Sequence, residues 1–364
     1  MNKTLLTTLG LLAILLSAVF VGPQQSPATA VAKQSAVKSV AAQAVSYPVA
    51  TAEPVITITG CVNHPLQLSL SDLQRMESTE IKMNEVTSDG SFHGVFNYRA
   101  VPLQTLLNMA GLEQKDSTFK KLVDATIVLT DKQGKKAVLS WGEIYYSNPA
   151  EVTLAYQVAP IYPVKRNCQK CHDPEDYRFA MEQLGRDVPL PKLLVTGDFY
   201  TDRLLEGIVT IEVMDVRPNI AVDRQAALRS ERIEISGDLS RPLTLNDLSG
   251  YPTIDINKKI VGVGRGYHGL HSFRGTSLSN VLTAAGITPT IDQVVIAWAP
   301  DGYRATFSMG ELYLSEAGRN IILADIKDNA AFDTGGKMRI IVGPDHTDDR
   351  DVQAVTNIEV IDLQ

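Results

Sequence analysis

The chain has 364 residues, and its 41 acidic and 34 basic side chains give a formal net charge of −7. A mildly acidic chain without a basic stripe argues against nucleic acid as a partner and gives no support for binding to an anionic membrane surface. The roughly 310 residues that follow the N-terminal region suit two domains of ordinary size.

The N-terminus has the pattern of a secretory signal. Lys3 precedes an apolar run from Leu5 to Val21, and small residues follow at 28–30. The run has about 17 residues, at the lower limit for crossing a bilayer, so an uncleaved anchor is the alternative. We predict a signal peptide over residues 1–30, a flexible spacer over 31–52, and a periplasmic or extracellular protein with no membrane contact after cleavage.

The chain then repeats itself. Residues 56–73, ITITGCVNHPLQLSLSDL, match residues 233–248, IEISGDLSRPLTLNDL. Residues 92–112 match 267–287 without a gap, and in both segments apolar residues at helical spacing end at a glycine. A glycine at this point is typical of a helix C-terminus, so a helix is predicted in each copy.

The later segments match as well. Residues 126–144 and 294–312 both predict a hairpin with its turn at a glycine. Two closing strands follow in each copy: LLVTGD and IVTIEV in the first, IIVGPD and VTNIEV in the second. We therefore predict a duplicated α+β unit. Its boundaries are 53–216 for the first copy, 217–230 for a linker and 231–364 for the second copy.

The order and spacing of these segments resemble the molybdopterin-binding domain of the sulfite oxidase family. The motifs that carry the resemblance are the opening strand, RAVPLQTLLNMAGL with its copy RGTSLSNVLTAAGI, the turn PDGYRATFS and the closing LLVTGDFYTDRLLEGIVTIEV. The resemblance implies two tandem sulfite oxidase-like domains with mixed sheets and short helices. That family holds molybdenum through a cysteine thiolate, yet the corresponding segments, 82–99 and 258–274, contain no cysteine.

The second copy contains a glycine-rich stretch, GVGRGYHG, at residues 262–269. Its backbone donors, with Arg265 and Arg274, are candidates for holding a pterin phosphate. The alternative is a glycine-rich connector without a ligand, because the pattern does not lie between a strand and a helix of a βαβ unit. Cys61, on the opening strand, is predicted to be a small buried residue rather than a ligand.

The sequence RNCQKCHD, residues 166–173, contains Cys168, Cys171 and His172. It lies in an insertion of about 21 residues, at roughly 160–190, which the second copy does not have. We favour covalent haem c, with thioethers at the two cysteines and His172 as an axial iron ligand. A disulfide between the cysteines and a zinc or iron site are the alternatives, although structural zinc needs a fourth ligand.

The sixth iron ligand is open to several candidates. We rank His93 first, because the fold should place its loop near the insertion, and Met181 second, on a predicted short helix. Two strong axial ligands favour electron transfer, whereas an open position allows ligand binding. The remaining candidates are His64, His268, His271 and His346.

The predicted function is an exported redox protein that carries one haem c and passes electrons to or from a partner protein. One alternative is a molybdopterin-dependent oxidoreductase with a cysteine-free site that uses the haem as its electron outlet. Another is a scaffold that only binds a partner. Elsewhere, Trp141 and Trp298 are predicted to pack beside strands, and HTDDRD at 346–351 is predicted to be a solvated face.

Overall fold

Strands and helices occur where the duplication predicts them, and the fold is α+β. The computed structural model describes residues 55–113, 118–162, 174–262 and 264–364, with only the backbone of 174–177. These residues belong to one compact unit, Val45–Gln364. The predicted signal peptide, the spacer and the Cys-x-x-Cys-His motif lie outside the described residues.

The elements of the first copy are, in chain order, β1 Val55–Gly60, β2 Leu66–Ser69, α1 Leu70–Gln74, β3 Thr79–Val86, β4 Phe92–Pro102, α2 Leu103–Ala110, β5 Ala125–Asp131, β6 Lys136–Ser140, α3 Trp141–Tyr145, β7 Val152–Pro160, α4 Pro174–Leu184, β8 Lys192–Val195 and β9 Ile208–Asp215.

The elements of the second copy are β10 Ile233–Gly237, β11 Leu243–Leu245, β12 Ile254–Gly262, β13 Gly266–Ser277, α5 Leu278–Ala284, β14 Gln293–Trp298, β15 Arg304–Ser308, α6 Met309–Tyr313, β16 Ile321–Lys327, β17 Ala330–Ala331, β18 Arg339–Val342 and β19 Asn357–Asp362.

Both copies build the same two sheets. The five-stranded sheets have the orders β2-β1-β9-β5-β6 and β11-β10-β19-β14-β15, and in each one the opening strand pairs in parallel with the closing strand. The smaller sheets are β3-β4-β7-β8 and its equivalent β12-β13-β16-β18, with β17 added to β16. The predicted linker, 217–230, is described throughout and contains no helix or strand.

The local sequence explains where the short helices begin and end. Ser140 and Glu143 form a capping box at the start of α3, and Ser308 and Glu311 repeat it at the start of α6. Gly111 follows α2 with φ of 67°, in the left-handed region that glycine enters at low cost. The glycine predicted to end this helix is therefore confirmed.

Each five-stranded sheet packs its alternating apolar face against the helices of its own copy. Ile56, Ile58 and Leu106 are fully buried in the first core, and Ile235 and Leu282 are buried in the second. Among the described residues, no helix is both long enough and apolar enough to cross a membrane.

The two copies contact each other through β6 and β15 and the helices that follow them. Val128, Val138 and Val294 form a small core shared by both copies. The amide of Val138 donates to the carbonyl of Ile291 at 2.8 Å. Arg304 of the second copy donates from Nε to Asp124 Oδ2 of the first at 2.6 Å, and both side chains are completely buried.

The segment HTDDRD does not form a solvated face, so that prediction was wrong. Arg350 is only 1% exposed, and it pairs with Asp345 and Glu311. Asp351 accepts from the buried Lys258 Nζ at 2.5 Å. The segment looks solvated by composition, but Arg350 and Asp351 pair with Glu311 and Lys258, which are distant in sequence.

Arg203 occupies the equivalent place in the first copy, paired with Asp198 and Glu143. Replacing Arg350 with leucine leaves two buried carboxylates without their guanidinium partner. We expect the free energy of unfolding, measured by urea denaturation, to fall by about 3–5 kcal/mol. The matched control is Arg75→Leu, which removes an exposed pair with Asp72 and should change stability little.

Candidate functional site

The insertion that carries the Cys-x-x-Cys-His motif is attached to β4 at both of its described ends. Where the chain enters it, the amide of Ile161 donates to the carbonyl of Val95 at 2.9 Å. Where the chain returns, α4 packs along β4, and the rings of Phe179 and Phe92 lie 6.4 Å apart. The helix predicted around Met181 is therefore confirmed as α4.

The second copy shows what the insertion replaces. At the same point, Asp328 and Asn329 have φ angles of 50° and 65° and form a two-residue turn between β16 and β17. Asparagine and aspartate tolerate this left-handed backbone, which suits a tight hairpin. Between β16 and β18 the second copy has only this turn, β17 and a short loop, whereas between β7 and β8 the first copy has the Cys-x-x-Cys-His segment and α4.

His93 lies near the insertion, as predicted, but on strand β4 and not in a loop. Arg186, which follows α4, donates from Nε to the His93 carbonyl at 3.0 Å. The His93 ring nitrogen Nε2 lies 3.4 Å from Thr87 Oγ1. Met181, the other candidate sixth ligand, is 44% exposed on α4.

A cavity of about 940 Å³ opens beside His93. Its walls come from the β3–β4 hairpin, the β5–β6 turn, strand β7, the segment that returns from the insertion and the loop before β9, with Leu70 of α1. The polar residues among its lining include Thr87, His93, Lys132, Lys135, Gln157, Arg186, Asp187 and Asp202. Its volume is in the range of small-molecule and cofactor sites.

Buried charges hold one wall of the cavity together. Lys192 Nζ donates to Glu85 Oε1 at 2.6 Å and to Glu206 Oε1 at 2.9 Å. Arg186 donates to the same two carboxylates, at 2.9 Å and 2.7 Å. Tyr98 also donates to Glu85. Two cations thus balance two carboxylates, as buried charges require.

The pKa shifts agree with this pairing. Burial, reinforced by the Glu85 carboxylate, raises the pKa of Tyr98, so the phenol keeps its proton and acts as a donor. Burial also acts to raise the pKa of Glu206, but hydrogen bonds and charge from Arg186 and Lys192 outweigh it and lower that pKa. Arg186, from the insertion, is therefore held by a carboxylate that stays ionised at neutral pH.

The equivalent cavity of the second copy is smaller, about 380 Å³. Lys121 of the first copy reaches into its wall and donates to Asp349 at 2.8 Å and to Tyr303 at 3.2 Å. Leu228 of the linker also lines it. The two copies therefore share a cavity position, but only the first copy keeps a large space there.

The structure does not bring the two predicted pterin-binding arginines together. Arg265 lies in the turn between β12 and β13 and lines the smaller cavity. Arg274 lies further along β13 and pairs with Asp255 across the hairpin at 2.7 Å. Their pterin role stays a prediction. The glycine-rich stretch is the tip of a β-hairpin, not a separate connector.

The other predicted residues have ordinary structural surroundings. Cys61 directly follows β1 and is half-buried against the first core, so it is less buried than predicted. His271 lies 2.6 Å from Asp328 through Nδ1. Trp141 stacks on Tyr145, as expected for a packing residue. Among the described residues, no group of three or more His, Cys, Asp or Glu side chains is arranged to hold a metal ion.

Sequence reasoning missed the residues of the buried wall: Glu85, Tyr98, Arg186, Lys192 and Glu206. Only one signal pointed to them, a lysine at the start of the apolar strand KLLV, where a charged side chain needs a buried partner.

No family model and no curated protein sequence matches the chain. Among solved structures, the chain is similar to the sulfane dehydrogenase SoxCD from Paracoccus pantotrophus, with a TM-score of 0.31 and 13% sequence identity. The match covers 70% of this chain and 58% of that chain, so this chain spans little more than half of the SoxCD chain. A likeness of this size does not by itself establish a shared fold or activity.

Replacing Lys192 with methionine tests the buried wall. The variant leaves Glu85 with only Arg186 and Tyr98 as partners, so we expect a loss of about 3–5 kcal/mol in the free energy of unfolding. Adding Glu85→Gln should restore part of that loss, because the uncompensated carboxylate is gone. Strictly additive effects in urea denaturation would contradict this account. Lys135→Met, at the cavity rim, is the control.

Proposed function

We propose that the protein is an exported redox protein that carries one covalent haem c and transfers electrons to or from a partner protein outside the cytoplasm. The observation that carries the proposal is the Cys-x-x-Cys-His motif in a segment that only one of two otherwise matching copies contains. A disulfide needed for the fold would be expected in both copies. The insertion instead adds a chemical function to a scaffold that is complete without it.

The surroundings of the motif suit a haem. Ile161 and Tyr162 precede the undescribed part of the insertion, and Phe179 and Met181 follow it. Their exposures are 36%, 52%, 56% and 44%. Large apolar side chains left at the surface on both sides of the motif in sequence suggest a partner, and the flat apolar faces of a haem are suitable partners.

Each residue of the insertion and of β4 would have a separate role in holding the haem. Cys168 and Cys171 would hold the haem through thioether bonds to its two vinyl groups, and His172 would supply a nitrogen ligand to the iron. Haem, when bound, supplies reversible one-electron transfer. Arg186, held by Glu85 and Glu206 and bonded to the His93 carbonyl, fixes the returning end of the insertion against β4. His93 is the first candidate for the sixth ligand position and Met181 the second.

We also propose that the two copies are tandem sulfite oxidase-like domains. The support is the order of motifs in the sequence together with the same strand order in both halves. The 940 Å³ cavity favours the alternative of a molybdopterin-dependent oxidoreductase that uses the haem as its electron outlet. Against it, the described lining of that cavity contains no cysteine thiolate.

The haem assignment is tested by expressing the exported chain in a host with c-type maturation. We expect one haem per chain in the pyridine haemochrome assay, retained after denaturation. Cys168→Ala and Cys171→Ala together should abolish covalent haem while the far-ultraviolet circular dichroism stays unchanged. Cys61→Ala is the matched control and should keep full haem content.

Absence of covalent haem in that host would overturn the proposal. Metal analysis of the same sample then separates the alternatives: zinc indicates the metal site, and molybdenum with a pterin extract indicates the enzyme. If neither metal is found and a thiol count shows that two cysteines are oxidised, the disulfide is indicated. If none of these is found, the partner-binding scaffold remains.

Single variants distinguish the sixth ligands. If His93 binds the iron, His93→Ala should convert the oxidised haem from low spin to high spin, as measured by absorption and electron paramagnetic resonance, whereas Met181→Ala should not. The opposite result would assign Met181. His268→Ala, at the matching position of the second copy, is the control and should leave the spin state unchanged. A high-spin parent protein would mean an open sixth position.

A further inference from the structure

The contact between the two copies is reciprocal. Arg203 of the first copy donates to its own Glu143 at 2.7 Å and to Ser308 of the second copy at 3.2 Å. Arg350 of the second copy donates to its own Glu311 at 3.0 Å and to Ser140 of the first at 3.0 Å. Each arginine therefore joins the acid of its own capping box to the serine of the other.

A second acid completes each arrangement. Asp198 accepts from Arg203 at 2.5 Å and 2.8 Å, and Asp345 accepts from Arg350 at 2.8 Å and 2.6 Å. Such bidentate pairs fix the plane of the guanidinium group. Each guanidinium then lies against the first turn of the other copy's short helix.

A glycine in each helix makes this approach feasible. A Cβ atom at Gly310 would collide with Arg203, and one at Gly142 would collide with Arg350. Both copies therefore need a serine, a glycine and a glutamate at the helix start, and an aspartate five residues before an arginine. Both copies have all five residue types, Ser140, Gly142, Glu143, Asp198 and Arg203 matching Ser308, Gly310, Glu311, Asp345 and Arg350.

The neighbouring ion pair is compatible with exchange of partners. Arg304 of β15 pairs with Asp124 of the first copy. The residue that matches Arg304 in the repeat is Lys136, and the residue that matches Asp124 is Asp292. A pair of second copies would therefore oppose Arg304 to Asp292, and a pair of first copies would oppose Lys136 to Asp124. Opposite charges would therefore face each other in either identical pair, although in the intact chain Lys136 donates to the carbonyl of Leu363 at 2.6 Å and not to Asp292.

We propose that this face is a self-complementary dimerisation surface, and that its partner is any second copy of the same repeat. In the intact chain the partner is the other half, held nearby by the linker. When the linker is cut, it no longer determines which copy is the partner. Each copy then also pairs with the same copy from another chain. An isologous contact allows such exchange, because both partners present the same surface patch to each other.

The test uses the full chain, folded and then cut. A protease site replaces residues within 219–228, which form no helix or strand. After cleavage, isotopically labelled and unlabelled samples are mixed and incubated until exchange of label shows that the halves have separated and paired again. Native mass spectrometry then counts the species. We expect pairs of first copies and pairs of second copies beside mixed pairs.

We expect each identical pair to reach at least about a tenth of the total. This corresponds to mixed pairs being favoured over identical pairs by no more than about tenfold, which is about 1.4 kcal/mol. Label exchange that yields mixed pairs alone would overturn the proposal, as would halves that remain single. Gly310→Val should remove pairs of second copies, which contain it twice, and leave pairs of first copies. Gly142→Val should do the reverse. Circular dichroism confirms that both variants stay folded before the cut.

Discussion

The two buried arginines, Arg203 and Arg350, constrain more of this structure than any other groups. A guanidinium removed from water is costly unless carboxylates and further acceptors surround it. Each arginine meets that need from a loop of its own copy, a helix start of its own copy and a serine of the other copy. The loops, the capping boxes and the placement of the two copies therefore depend on one another.

Outside that contact the copies differ, and the differences have a pattern. The residue types around the two buried arginines match between the copies, whereas the cavity and the hairpin end beside it do not. In the first copy the connection between the strands that match β16 and β18 is longer by the insertion, and a cavity of about 940 Å³ is present. Lys121 of the first copy and Tyr303 of the second narrow the equivalent space in the second copy.

The positions of the strands and helices were predicted well from the sequence, because the same apolar pattern occurs in two matching segments for each element. Gly111 ends its helix as predicted, since that signal is local. The buried wall was missed because Glu85 and Lys192 are 107 residues apart and neither is unusual where it stands. HTDDRD was misjudged for a related reason. Composition describes its charges, but only the tertiary structure shows that Arg350 has partners from both copies.

The same reasoning explains how a redox centre could be added without disturbing the fold. Both described ends of the insertion are fixed to β4, one through the carbonyl of Val95 and the other through Arg186 and the carbonyl of His93. Arg186 is itself held by two carboxylates that Lys192 also binds. A cofactor attached between these points would be held close to one strand of a rigid sheet. For the electron transfer proposed above, such a fixed position would present the same surface to a partner each time.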